Sequence, residues 1–252
     1  MAIYGIKDCA NLSLFELATG KPAVFSDYAN VATNEWQAER VFANAKGVRS
    51  IAWDADRQGT LKVEMEVFEL QWLAMVAGSE IVKGEANIAK REIVRVTSNK
   101  KVTLAGSPVT DSVTVIKVGG DLIEHINEPL NKVTASPTAG QFTITGSDIT
   151  FATDAVVGET YAVYYLVKDA QAKTISISAD KFPKAYRIVA DALMREKETG
   201  TDEFVQIEYP NARPQSNFTI TMSATEPTKL EVTFDLFPDK DKNMATYKVI
   251  SE

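Results

Sequence analysis

The chain has 252 residues, 45% of them hydrophobic, which suits one large β domain or a domain with an insertion and supplies a core that needs no staples. Thirty-four acidic against 27 basic residues give a formal net charge of −7, which argues against affinity for nucleic-acid phosphates, and the lone Cys9 excludes an intramolecular disulfide. The N-terminus, MAIYGIKDCANLSLFEL, lacks the basic start and apolar run of a signal peptide. No window approaches the roughly 18 apolar residues of a membrane span, so the expectation is a chain made and folded in cytoplasm, away from membranes.

From Asn11 to Tyr28, the runs LSLFEL and AVF flank Thr19-Gly20-Lys21-Pro22, as in a hairpin. Asn34 to Gly59 alternates charged and apolar residues and reads as a strand, a loop near Ala45 to Val48 and a tight turn near Asp56. Thr60 to Gly78 then changes its hydrophobic period within a few residues. Leu61, Val63, Met65 and Val67 alternate with Lys62, Glu64 and Glu66, so a strand would have one apolar and one charged face. From Glu69 the period becomes helical, with Leu70, Leu73 and Ala77 on one face, Trp72 and Val76 beside them, and Gly78 as the terminator. Ser79 to Glu92 reads as an exposed loop around Gly84.

Between Val94 and Lys168 the texture becomes short β runs separated by turns: VTVIKV before Gly119-Gly120, FTIT before Gly146-Ser147-Asp148, and YAVYYLV after Gly158. Residues 94–168 therefore read as an inserted or elaborated β-module, and residues 1–93 and 169–252 as the main β-domain. The last third returns to long alternating strands at Lys184 to Arg195 and Glu203 to Tyr209. It closes with a hairpin in which Phe218, Ile220 and Met222 precede Leu230, Val232, Phe234 and Leu236. The predicted class is mainly β, a sandwich or half-barrel with a flanking helix.

Catalytic chemistry finds little support. Asp239 to Asn243 matches the first ligands of an EF-hand loop, but Met244 stands where glycine is required and Ile250 where a bidentate glutamate is, so the stretch reads as a solvated turn. Asp54 and Asp56 form a DxD pair without a third ligand and read as a charged turn. His125 is the only histidine and has no nucleophile motif beside it, and Cys9 reads as a small thiol without a reactive signature. No catalytic, cofactor-binding or metal-ligating residue is assigned, and the sequons at Asn11 and Asn217 lack secretory context. Tyr161, Tyr164 and Tyr165 suit either a ligand platform or cross-strand packing.

Two stretches, Asn34 to Ser79 and TKLEVTFDLFPDK from Thr228 to Lys240, resemble the tail tube proteins of long-tailed bacteriophages. The resemblance implies a non-enzymatic structural subunit of the virion tail, assembled in the host cytoplasm, that closes into hexameric rings stacked into a conduit for DNA ejection. It implies as partners other copies of the chain, the tape measure, baseplate and tail terminator proteins, a sheath protein if the tail contracts, and DNA passing without specific binding. It makes Trp72, Leu73 and Met75 part of the flanking helix. It places Lys62, Glu64, Glu66, Glu231, Thr233 and Asp235 towards the lumen. Contact between rings falls to Ala43 to Val48 and to the projecting segment Val82, Lys83, Gly84, Glu85, Ala86 and Asn87. The alternative from another class is a monomeric β-sandwich module binding a cell surface or carbohydrate, resting on Tyr161 to Tyr165. An enzyme built on Asp54, Asp56 or His125 has no motif behind it.

Overall fold

A computed structural model describes residues 3–67 and 69–250 and divides the chain into two compact units, Met1–Ile81 with Ile175–Glu252, and Val82–Thr174. The side chains of residues 7–10 lie outside the described ones, and the reading of Cys9 with them. In chain order the first unit supplies β1 (Tyr4–Glu16), β2 (Pro22–Ser26), β3 (Val31–Ala45), β4 (Val48–Met65) and the helix α1 (Leu70–Val76). The second holds β5 (Val82–Arg95), β6 (Lys101–Thr103), β7 (Thr114–Lys117), β8 (Asn131–Lys132), β9 (Gln141–Thr145), β10 (Asp148–Phe151) and β11 (Thr160–Thr174). The first unit then resumes with β12 (Tyr186–Glu196), β13 (Asp202–Pro214), β14 (Thr219–Thr221), β15 (Lys229–Leu236) and β16 (Thr246–Ile250). The protein is mainly β, and its strand pairs are antiparallel except β8 with β9. Among the described residues no helix is long and apolar enough to cross a membrane.

The first unit is one sheet, in the order β2-β1-β12-β13-β15-β4-β3, that branches at its centre. One edge of β13 is shared, with Phe204 to Glu208 pairing β16 and Ala212 to Pro214 pairing β15. The edge of β15 is divided likewise between β14 and β13. Period-two alternation decides what fills the interior: Leu12 and Leu14, Leu61, Val63 and Met65, Ile188, and Leu230, Val232, Phe234 and Leu236 join one buried cluster. Half-buried Asn34 links two tyrosines, its Nδ2 donating to the hydroxyls of Tyr209 at 3.0 Å and Tyr247 at 3.2 Å. Burial raises the pKa of Tyr209, so the phenol stays protonated. The closing hairpin is present, but β14 is only three residues long and Met222 lies beyond it, exposed.

The second unit packs the sheet β5-β11-β7 and the sheet β6-β10-β9-β8 around Val94, Val115, Phe142, Ile149, Phe151 and Val163. Tyr161 and Tyr165 point into this core and Tyr164 onto the opposite face, so the three tyrosines form no common platform. Tyr161 donates to Glu159, and burial followed by that carboxylate pushes its pKa up to about 12. Tyr165 donates to Glu92 and accepts from the Gly106 N–H. The expected loop over Ser79 to Glu92 is a strand from Val82 onward. Val82 to Asn87 lie opposite Lys168 to Thr174 in a two-stranded ribbon, with Lys168 bonded to Glu85 at 2.8 Å. A ribbon wet on both faces carries no apolar period, and its hydrogen bonds come from a strand some eighty residues later.

Helix α1 is held by one buried aromatic side chain and closed at its C-terminus. Trp72 is fully buried and meets Phe234 edge-on, with ring centroids 6.5 Å apart. The buried face runs through Trp72, Met75 and Val76, with Leu73 half-buried, whereas Leu70, expected on that face, is exposed. Val67 is exposed too, since β4 ends at Met65. The C-terminus closes as a Schellman motif: Gly78 N–H donates to the Met75 carbonyl and Ser79 N–H to that of Ala74. Gly78 has φ +62°, and a Cβ there would stand 2.4 Å from the Phe182 backbone. Gly78→Ala is therefore expected to cost at least about 2 kcal/mol in urea unfolding, from left-handed strain plus displaced backbone. Trp72→Ala should cost about 3–5 kcal/mol by the same measurement.

Across β12, β13 and β16, Glu208 accepts from Arg187 at 3.0 Å and from Lys248 at 2.7 Å. Lys248 foremost, then Arg187, holds its carboxyl below the usual glutamate range. A depressed folded pKa means that this contribution is complete above the ordinary glutamate value and is lost as pH falls through the folded one. Amide exchange in Thr246–Ile250 should accelerate below about pH 4. Glu208→Gln should give the same acceleration at neutral pH, at a cost of about 1 kcal/mol.

Candidate assembly surface

The register between β4 and β15 gathers the predicted polar residues on one face. Glu64 lies opposite Glu231, Lys62 opposite Thr233 and Thr60 opposite Asp235, while β3 adds Thr33 beside Lys62 and Glu35 beside Thr60. Lys62 Nζ sits 2.9 Å from Glu231 and 3.0 Å from Glu64, relieving a like-charge cross-strand pair. Those two carboxylates, Glu231 first, raise the lysine's pKa. Asp235 accepts from Gln215 Nε2 at 2.8 Å. Glu66 stands just past the strand end and reaches Lys229 at 3.5 Å. Lys62 and Lys229 stand against Glu35, Glu64, Glu66, Glu231 and Asp235, which leaves this half-exposed face acidic. Among the described residues no strand pairs with the outer edges of β3 and β14, so the polar-faced sheet β14-β15-β4-β3 ends in two open edges.

Beyond Gln37 and Gln58, β3 and β4 continue as an arm paired only to each other. The expected loop at Ala45 to Val48 is a two-residue turn, Lys46 and Gly47 at φ 51° and 83°, whose primed twist matches the strands. The expected turn near Asp56 is a bulge instead. Asp56 (φ 50°) and Arg57 oppose the single Ala38, and β4 runs on through them. At the arm's base Trp36 lies over Gly59, where a Cβ would come within 2.5 Å of the indole. Further out, Arg40 grips Asp54 through Nε at 2.5 Å and Nη2 at 3.0 Å, and Arg49 stacks over Phe42 at 4.3 Å. Val41 opposite Trp53, and Ala43 opposite Ile51, occupy the other face. Val41, Ile51 and Trp53 are 58%, 54% and 53% exposed. This apolar stripe is the feature that sequence reading missed, although its alternation at Val41, Ala43, Ile51 and Trp53 was there to find.

The remaining polar groups are occupied locally. Asp54 is the partner of Arg40, which lowers its pKa. Asp239 accepts from its own loop, from the N–H groups of Asp241 at 2.9 Å and Asn243 at 2.8 Å, as a turn does. His125 Nε2 lies 3.0 Å from the Tyr164 hydroxyl, which also accepts from Arg91. No group of three or more His, Cys, Asp or Glu able to hold a metal occurs among the described residues. Val82 to Asn87 belong to the ribbon of the second unit.

The chain is 26% identical over 191 residues to the "Tail tube protein" of Bacillus phage SPR, an alignment covering 74% of this chain and 66% of that protein, so it spans just under two thirds of the relative's length. The model of the YomU/Tube protein family matches residues 4–250. With nearly the whole sequence inside that match, the chain belongs to the YomU/Tube protein family.

Proposed function

We propose that the chain is the repeating subunit of a hollow tail tube, closing laterally into hexameric rings that stack into a conduit for DNA. The observation that carries the reading is the β14-β15-β4-β3 part of the sheet: apolar towards its own core, acidic on its other face and, among the described residues, open along the outer edges of β3 and β14. Edge pairing between neighbours satisfies the open backbone groups of β3 and β14 and makes each copy's polar face part of a continuous wall. Lys62, Glu64, Glu66, Glu231, Thr233 and Asp235 then line the lumen. A carboxylate-rich wall repels phosphates at close range, and the genome slides without sticking. The conduit meets tape measure, baseplate and terminator proteins at its ends and centre, and a sheath if the tail contracts. Assembly takes place in the host cytoplasm.

Stacking falls to projecting segments, the arm tip from Ala43 to Val48 and the ribbon at Val82 to Asn87. The rest of the Val82–Thr174 unit decorates the tube or elaborates its wall.

Electron microscopy of purified protein over a concentration series should show rings and hollow tubes. A monodisperse monomer at every concentration would return the binding-module alternative to equal standing. Phage carrying Glu64→Lys with Glu231→Lys should assemble tails but deliver DNA about tenfold less well, because a cationic wall retains phosphates. Unchanged delivery would sink the lumen placement. Removing Val82–Asn87 together with the facing Lys168–Thr174 keeps the ribbon in register and should leave rings that fail to stack. Intact polymerisation would end that segment's stacking role.

A further inference from the structure

The open edge of β3 borders a cavity. Ala32 lies opposite Val63 and Asn34 opposite Leu61, so both are on the core side of the strand. There a cavity of about 410 Å³ opens, walled by Leu12, Leu61, Ala190, Ala192, Ile207 and Tyr209 as well as by Ala32 and Asn34. No charged side chain lines it, and its volume is that of a binding site. Asn34 directs its Nδ2 to Tyr209 and Tyr247 and has its Oδ1 buried without a hydrogen-bond partner. The other open edge carries a projection. Phe218 and Ile220 pack against the core, and Met222, next in that period of two, stands just past the last pair of β14. At 85% it is more exposed than any other large hydrophobic side chain among the described residues.

We infer that Met222 of one copy enters this cavity in the next copy and is the side chain that sets their lateral register. The inference rests on the tube reading, which joins the β14 edge of one copy to the β3 edge of another, and it names the residue and the pocket that make the joint specific. β14 and β3 run in opposite directions, because β14 with β15, β15 with β4 and β4 with β3 are all antiparallel pairs. Joined edge to edge they continue the antiparallel ladder, and the core side of β14 meets the core side of the neighbour's β3, where the cavity opens. Backbone pairing alone tolerates a slip of two residues, since the faces are unchanged by it. One knob in one hole selects a single register. Methionine suits the role, because its unbranched, polarisable side chain fills an irregular apolar gap. A main-chain N–H arriving with it supplies the donor that Asn34 Oδ1 lacks. Key and pocket lie on different edges, so the contact is heterologous and adds copy after copy until the rotation closes a ring.

The test is disulfide trapping of the assembled protein. In a Cys9→Ser chain, Met222→Cys with Ala32→Cys places one thiol at each edge. Within one copy these edges are separated by the spacings of β14-β15-β4-β3, roughly 14 Å, which exceeds the Cα separation of about 7 Å that a disulfide can bridge. Oxidation should therefore join different copies and give a ladder up to the hexamer on a non-reducing gel, collapsing on reduction. Either cysteine alone can give dimers at most. Independently, Met222→Asp should raise the concentration needed for rings about tenfold or more, whereas Met222→Leu should stay within about threefold of the parent. Circular dichroism melts of all variants verify folding. Where electron microscopy shows rings of the double-cysteine chain, a missing ladder or one that stops at dimers overturns the inference and leaves the tube reading standing. Rings of Met222→Asp at the parental concentration do the same. A parent chain forming neither rings nor tubes removes that reading and the inference with it.

Discussion

The pairing of β4 with β15 is the constraint on which the first unit depends. Along this ladder Leu61, Val63 and Met65 face the same interior as Leu230, Val232, Phe234 and Leu236, and Lys62, Glu64, Glu231 and Asp235 face away. A one-residue slip of β4 would send Leu61, Val63 and Met65 outward and bury Lys62 and Glu64, so the register is held by the burial energy of those core side chains. Trp72 depends on it too, because its ring closes against Phe234 on the inner face of β15. The acidic face is thus a by-product of the core: once the apolar residues are inside at period two, the carboxylates between them share a single surface.

The arm obeys different rules. A two-stranded ribbon has no core, and such hairpins are marginal in water. This one is held by local devices: the Lys46-Gly47 turn, the Arg40–Asp54 fork, Arg49 over Phe42, and Trp36 folded onto Gly59. Each acts between neighbours in the ladder, and none covers Val41, Ile51 or Trp53. Exposed apolar area of this kind carries an aggregation hazard that charged residues at the tip reduce. A subunit that must recognise its own kind gains from keeping such a surface on an element whose folding is complete before the partner arrives.

Where a segment packs on one side and is wet on the other, its structure was legible from the sequence. The strand ending at Met65, the helix after Glu69, the left-handed Gly78, β12, β15 and the hairpin at Leu12 to Phe25 all have an amphipathic period. The ribbon halves of β5 and β11 do not, because neither face meets a core, and Val82 to Glu92 therefore reads as a loop although its backbone is fully paired. Asp56 shows a second limit. Its positive φ suits a turn, and only the partner strand reveals that the chain bulges and continues. The polar residues were readable as one face within each strand, but their union across β3, β4 and β15 depends on pairings between segments far apart in sequence.

On the proposed reading, charge segregation reconciles two demands that a DNA conduit places on one chain. It must adhere to copies of itself and must not adhere to the polymer passing through it. A net charge of −7 spread evenly would weaken both adhesion and DNA binding, since like copies would repel as phosphates do. In this chain the carboxylates of Glu35, Glu64, Glu231 and Asp235 are concentrated on one sheet face, and the arm between Val41 and Trp53 holds cations alone. At a Debye length of about 8 Å in physiological salt, the two regions act on what is directly in front of them and not on each other's partners. On the proposed reading, the wall's negative field is local to the lumen, and the arm's positive charge acts only where one subunit meets the next.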